Sequence, residues 1–190
     1  FLQNGIAGTI VVANTYIQIG RGFTAFQTGL LTLGNIIALL LMIRVGERLL
    51  QKVGPYKPMF ISIIIASVGM SFGALTFLSN LPYIIVVFIG FLIAGIGIGL
   101  YATPSLDTLL VNVSDDKVGI GSGIYKMASS LGYSFGIAIS TAIYTSFAEL
   151  FHNEHLAGAL GMLTPLGFGM LSIVILIVTM YEKSLNADCI

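Results

Sequence analysis

Long apolar runs separated by short polar stretches make up most of this chain. A helix needs about 20 mainly apolar residues to cross a bilayer. By that measure the runs predict six spans, near residues 1–19, 27–47, 58–79, 82–106, 118–147 and 161–181. The connections are short and carry most of the charge. Gly20-Arg21-Gly22 follows the first span, and the stretch from Arg44 to Pro58 holds Arg44, Glu47, Arg48, Lys52 and Lys57 before Gly54-Pro55 and after it. Ser79 to Pro82 reads as a tight uncharged turn, and Leu110 to Lys117 carries Asp115, Asp116 and Lys117. Glu149 to Gly158, with His152, Glu154 and His155, reads as a solvated loop, and residues 183–190 as a polar tail that frays.

The polar positions inside the spans are patterned. In the fifth span Ser122, Lys126, Ser129, Tyr133, Gly136, Ser140 and Tyr144 recur at steps of three or four, which stacks them on one helix face. Polar groups in hydrocarbon cost several kcal/mol unless satisfied, so this stripe must face protein or a water-filled path. Gly119, Gly123 and Gly132 lie off the stripe and are expected to make close helix contacts. In the first span Asn4, Asn14 and Gln18 share an arc, and in the second Gln27 and Asn35 share a face. Such amides either tie helices together or line a cavity.

The fourth span is rich in small residues. Gly95 and Gly99 form a GxxxG pair suited to close helix packing, and Gly90, Ala94, Gly97 and Tyr101 stack on a face of their own. Pro104 removes a backbone hydrogen bond and predicts a kink or flexing point. Asp107 follows one turn later, and Lys126 lies about two turns into the fifth span. The lysine can snorkel to the headgroups, pair with Asp107 or attract an anionic group at a cavity mouth.

Composition narrows the class. The chain has 190 residues, 56% hydrophobic and only 8% charged, with mean hydropathy +1.00. Soluble domains carry roughly a quarter charged residues, which excludes a water-soluble globule. Net charge is zero, so no basic field invites nucleic acid. The single cysteine, Cys189, cannot close an intramolecular disulfide. His152 and His155 lack the HExxH arrangement, and no nucleophile–base set or carboxylate pair sits at a sensible depth. Neither an enzyme nor a metal or cofactor site is expected. Because lysine and arginine favour short cytoplasmic loops, Arg44, Arg48, Lys52, Lys57, Lys117 and Lys183 predict a cytoplasmic second loop, fourth loop and C-terminus, with Arg21 opposite. The apolar start at Phe1 reads as the continuation of a longer membrane protein.

The loop from Arg44 to Pro55 resembles a degenerate second copy of the cytoplasmic G-x-L-x-D-R-x-G-R-[KR] motif of the major facilitator superfamily, with Arg48 and Gly54 among its matching positions and Glu47 near the usual aspartate. Gly95-Ile-Gly-Ile-Gly-Leu-Tyr-Ala-Thr-Pro104 and Gly119-Ile-Gly-Ser-Gly-Ile-Tyr-Lys-Met-Ala-Ser-Ser-Leu-Gly132 are similar to the C-terminal part of fourteen-span drug:proton antiporters of the EmrB/QacA type. The resemblance covers nearly the whole chain. It implies an all-α bundle of six membrane helices, one half of a major facilitator fold built as a three-plus-three repeat. It further implies export of hydrophobic, often cationic, drugs across the plasma membrane, driven by a proton gradient, with an N-terminal half as partner. Spans one, two, four and five would line the cavity, where Asn4, Asn14, Gln18, Gln27, Asn35, Tyr101, Lys126, Ser129, Tyr133 and Ser140 are the candidate wall residues.

Overall fold

The structure, a computed structural model, describes residues 2–151 and 154–187, with side chains described from Gly5 to residue 178 except at Asp115, Glu154 and several positions of the last helix from Pro165. The apolar runs form helices α1 (Leu2–Ile19), α2 (Ala25–Val53), α3 (Tyr56–Ser71), α4 (Asn80–Leu110), α5 (Val118–Phe151) and α6 (Glu154–Ala187). Single 3-10 turns at Phe72–Ala74 and Asp115–Lys117 extend α3 and introduce α5. By length and composition α2, α4, α5 and the stretch Tyr56–Ala74 can each cross a membrane, and Gly5–Ile19 is a shorter apolar helix. The protein is a multi-pass helical membrane protein.

Several boundaries differ from the hydropathy reading, for local reasons. The second connection is mostly helix: α2 runs on through Arg44, Glu47, Arg48 and Lys52, and only Gly54-Pro55 turns the chain. Gly54 takes φ +77°, a conformation that disfavours side chains, and its N–H closes the helix on Leu50 O at 3.0 Å. At its other end α2 starts with a capping box, in which Thr24 accepts from the Gln27 N–H and the Gln27 side chain accepts from the Thr24 N–H at 3.0 Å. α3 stops short of the expected 79. The expected fifth loop is largely helical, since α5 reaches Phe151 and α6 begins at Glu154. Helix also continues to Ala187, where a frayed tail was expected; His152 and Cys189 lie outside the described residues.

The helices do not pack in chain order. α4 is clasped between α2 and α3, whereas α1 packs on α5 and α6. The first helix of each sequential triplet is thus exchanged into the other, giving triads α2–α3–α4 and α5–α6–α1. This reciprocal exchange is what a three-plus-three arrangement produces. The triads meet through α3 and α6 and through an apolar core that includes Val12, Tyr16 and Ile17 of α1, Val87 and Phe91 of α4, and Met162 of α6.

Small residues let α4 sit this close to both neighbours. Gly95 lies against the Asn35 carbonyl and Gly99 against Leu39 O and Met42 of α2. On another face Gly90 meets Gly69 O and Phe72, and Gly97 meets Ser62 and Ala66 of α3. α4 passes through Pro104 as one continuous helix. The ring of Pro104 leaves the Leu100 carbonyl without its intrahelical donor, and that carbonyl faces Gly46 of α2. Asn35, 5% exposed, donates from Nδ2 to the Phe91 carbonyl at 3.0 Å across the same α2–α4 contact. Interhelical side-chain bonds of this kind contribute about 0.6 kcal/mol, and up to about 1.7. Asn35→Leu is therefore expected to lower thermal stability modestly in detergent without abolishing folding, read as a shift of a few degrees in the unfolding midpoint.

Candidate functional site

The two triads separate at the end that carries Arg44, Arg48, Lys52 and Lys57. There a cavity of about 450 Å³ lies between the C-terminal part of α4 and the N-terminal part of α5. Its walls come from four helices: Ile6 of α1, Ile43 of α2, the α4 segment from Ile98 to Leu110, and Tyr125, Lys126 and Ser129 of α5. Most of the lining is apolar. The polar contribution is Tyr101, Thr103, Asp107, Tyr125, Lys126 and Ser129. Tyr125 is held in place by a 2.7 Å hydrogen bond between its hydroxyl and Ser105 Oγ on α4. Thr108, one position beyond Asp107, turns its hydroxyl back to the Pro104 carbonyl at 2.7 Å and so away from the cavity lining.

Of the expected wall residues, Tyr101, Lys126 and Ser129 line this cavity. Others have different surroundings. Asn14 accepts from Thr32 Oγ1 at 3.2 Å, a bridge from α1 to α2, and Asn35 is spent on Phe91. Gln27 is exposed and occupied in its capping box, and Gln18 is exposed near the end of α1. The side chain of Asn4 lies outside the described residues.

The stripe on α5 divides in two. Lys126 and Ser129 open onto the cavity and Tyr133 is 40% exposed. Below them Gly136, Ser140 and Tyr144 are buried against α1 and α6. Ser140, 1% exposed, presses against Gly8 so closely that any side chain at position 8 would overlap it. Among the described residues its hydroxyl has no hydrogen-bond partner. The lower half of the stripe is therefore a helix contact and not a cavity wall. Two of the three glycines expected to make such contacts do not: space beside Gly119 and Gly123 is open among the described residues.

The opposite end of the bundle is closed by a knot centred on Arg21. Its guanidinium donates to Asn80 Oδ1 at 2.8 Å, to the Thr76 and Leu78 carbonyls at 2.7 Å each, and to the Tyr16 hydroxyl at 3.1 Å. It also lies 4.0 Å from the centre of the Tyr83 ring. Tyr16 in turn meets His155 Nδ1 at 2.6 Å, and the Thr76 hydroxyl donates to the His155 carbonyl at 2.7 Å. One arginine thus joins the α1–α2 turn, the α3–α4 turn and the start of α6. His155 belongs to this knot, contrary to the reading of a solvated loop. Among the described residues no group of three or more His, Cys, Asp or Glu side chains could hold a metal ion.

The basic cluster, expected in a loop, is arrayed on the C-terminal part of α2, where Arg44, Glu47 and Arg48 are all exposed. Gly54 serves as the C-cap of that helix.

Two helix triads thus enclose a cavity with both apolar and charged walls, a helical membrane bundle. The chain belongs to the Major Facilitator Superfamily, whose family model matches residues 1–186. It is 44% identical over 184 residues to the Quinolone resistance protein NorB of Staphylococcus aureus strains JH9 and MW2, and equally to that of strain Newman. Each alignment covers 97% of this chain but 40% of the relative, so the chain spans about two-fifths of the length of these curated relatives.

Proposed function

We propose that this chain forms the C-terminal membrane half of a proton-coupled exporter of hydrophobic or cationic drugs, working by alternating access in the plasma membrane. The observation that carries the reading is the 450 Å³ cavity between the triads, whose apolar walls, phenols and hydroxyls suit loosely specified amphiphilic cargo. The likeness to quinolone resistance proteins adds the drug-export class. The partner is the remaining helical half of the same polypeptide. It would cover exposed apolar side chains such as Ile124, Met127, Leu131 and Phe135 on α5, with lipid covering others on α2. The basic end, with the C-terminus, faces the cytoplasm, so this conformation presents its cavity inward and is sealed outward by the Arg21 knot. No cofactor is called for; the driving force is the proton gradient.

The test is dye efflux from cells expressing the full-length polypeptide, with and without a proton uncoupler. Efflux that collapses on uncoupling is the expected result; efflux that persists would remove proton coupling. In a Cys189→Ser background, Ser129→Cys should react with a water-borne thiol reagent. A fully protected Cys at 129 would mean that partner helices fill the cavity and that the chain is a scaffold.

A further inference from the structure

Two phenols stand in the cavity wall, and their hydrogen bonding differs. Tyr101 of α4 lines the cavity, and among the described residues its hydroxyl makes no hydrogen bond. It is free to turn and can donate or accept. Tyr125 of α5 lines the same cavity, but its hydroxyl lies 2.7 Å from Ser105 Oγ on α4. Ser105 is buried, 7% exposed, and does not itself line the cavity. It also reaches back to the Ala102 carbonyl at 3.0 Å, a return bond that serines within helices make.

Counting hydrogens fixes the direction of this chain of bonds. A serine hydroxyl carries one hydrogen and a carbonyl carries none. The contact with Ala102 takes the Ser105 hydrogen, so both contacts are filled at once only if the Tyr125 phenol donates to Ser105. That donation spends the single hydrogen of Tyr125 and leaves its oxygen lone pairs. Toward anything in the cavity Tyr125 is then an acceptor and not a donor. Turning the phenol to donate into the cavity would break its bond to a buried serine oxygen, which is expensive to leave unmade. A wall that accepts a hydrogen bond in turn disfavours an analogue with no hydrogen to give, because the phenol oxygen is desolvated without a partner.

We infer that Ser105 is a positioning residue that fixes the polarity of Tyr125, so that this point of the cavity wall favours cargo presenting an N–H or O–H over similar cargo of equal charge that has none. Ser105 does not touch the cargo and acts only through the phenol oxygen. The inference rests on the transport reading above and adds to it a determinant that does not depend on the charge of the cargo.

Rhodamine 6G and rhodamine B ethyl ester form the probe pair. Both are singly charged cationic ethyl esters on one xanthene framework, but only the first has N–H groups, since the nitrogens of the second are fully ethylated. Uptake of each into everted membrane vesicles carrying the full-length polypeptide, energised by a proton gradient, gives KM and maximal rate for both. Wild type is expected to have the lower KM for rhodamine 6G. Tyr125→Phe, which removes a single oxygen, should shift the ratio of the two KM values about tenfold against that dye, the scale of one hydrogen bond. Ser105→Ala releases the phenol to turn and should shift the ratio the same way by about threefold, part of that effect. The double variant should match Tyr125→Phe alone, because Ser105 acts only through the hydroxyl already removed. Ser105→Thr keeps a hydroxyl and should retain the wild-type ratio. A role confined to joining α4 to α5 would lower abundance by immunoblot, or the maximal rate for both dyes, without moving the ratio. If Ser105→Ala fails to accumulate, Tyr125→Phe and Ser105→Thr still decide the matter. Equal wild-type KM values, a ratio unmoved by Tyr125→Phe or Ser105→Ala, or a further shift in the double variant would overturn the assignment while leaving transport intact. Uptake of neither dye under a proton gradient would overturn the transport reading and this inference together.

Discussion

Gly97→Val yields little or no folded protein, whereas Gly123→Ala accumulates normally. At Gly97 a Cβ would stand 2.5 Å from the Ala66 nitrogen and 2.7 Å from the Ser62 carbonyl oxygen. Both are backbone atoms of α3, and a helix backbone cannot step aside as a side chain can. α4 would have to move away from α3 as a body, opening the Gly69–Gly90 approach on the same contact. Overpacking a core typically costs about 1–3 kcal/mol and occasionally more; valine at this backbone contact belongs at or above the top of that range. At Gly123 there is nothing within 4 Å to meet a methyl group, and alanine favours helix by roughly 0.5–1 kcal/mol over glycine. Size-exclusion profiles of fluorescently tagged full-length variants in mild detergent provide the comparison. A monodisperse Gly97→Val peak at wild-type height would show that α3 and α4 do not pack at this distance.

Arg21→Gln should be the most damaging polar substitution in the chain. The arginine makes four hydrogen bonds and a ring contact at once, and two of its acceptors are main-chain carbonyls in the α3–α4 turn. A hydrogen bond to a charged group contributes about 1.5–3 kcal/mol, and non-additivity within one network keeps the total near about 3 kcal/mol. Glutamine is too short to reach the acceptors together. Arg21→Lys keeps the charge over Tyr83 but loses the planar fork, so it should fall between the two. The unfolding midpoint of each variant in detergent measures the order. Equal midpoints for Arg21→Gln and wild type would reduce the knot to a surface arrangement without energetic weight.

Much of the architecture is legible in hydropathy because the bilayer demands long uninterrupted apolar helices. Six runs became six helices. What hydropathy cannot see is which runs are neighbours, so the exchange of α1 and α4 between triads is invisible to it. Charge density likewise misplaced the second connection, because Arg44, Arg48 and Lys52 are good helix formers and simply continue α2 into water. The cavity was partly legible: Lys126 and Ser129 lie on the stripe that periodicity singled out, and Tyr101 on the small-residue face of α4. Periodicity alone does not say where along a stripe packing takes over, and on α5 it does so by Gly136. The amides of α1 and α2 were ambiguous from the start, and Asn14 and Asn35 went to neighbouring helices. The knot had a faint signal, a lone arginine between two glycines at the end otherwise poor in basic residues. Its partners are carbonyls and phenols scattered from Tyr16 to His155, a set that only the fold assembles.

The length of α2 has a mechanical consequence. The helix has 29 residues, about 43 Å at 1.5 Å per residue, and its uncharged part from Ala25 to Ile43 accounts for about 28 Å of that. This nearly equals the hydrocarbon thickness of about 30 Å. Arg44, Arg48 and Lys52 then follow at one per turn, like graduations on a gauge. A piston stroke of one turn would draw Arg44 into the hydrocarbon, at up to about 2.5–3.5 kcal/mol at full depth, and push the capped end out on the other side. α2 is therefore pinned in depth, with its apolar length set to the bilayer and its charges holding the end in water.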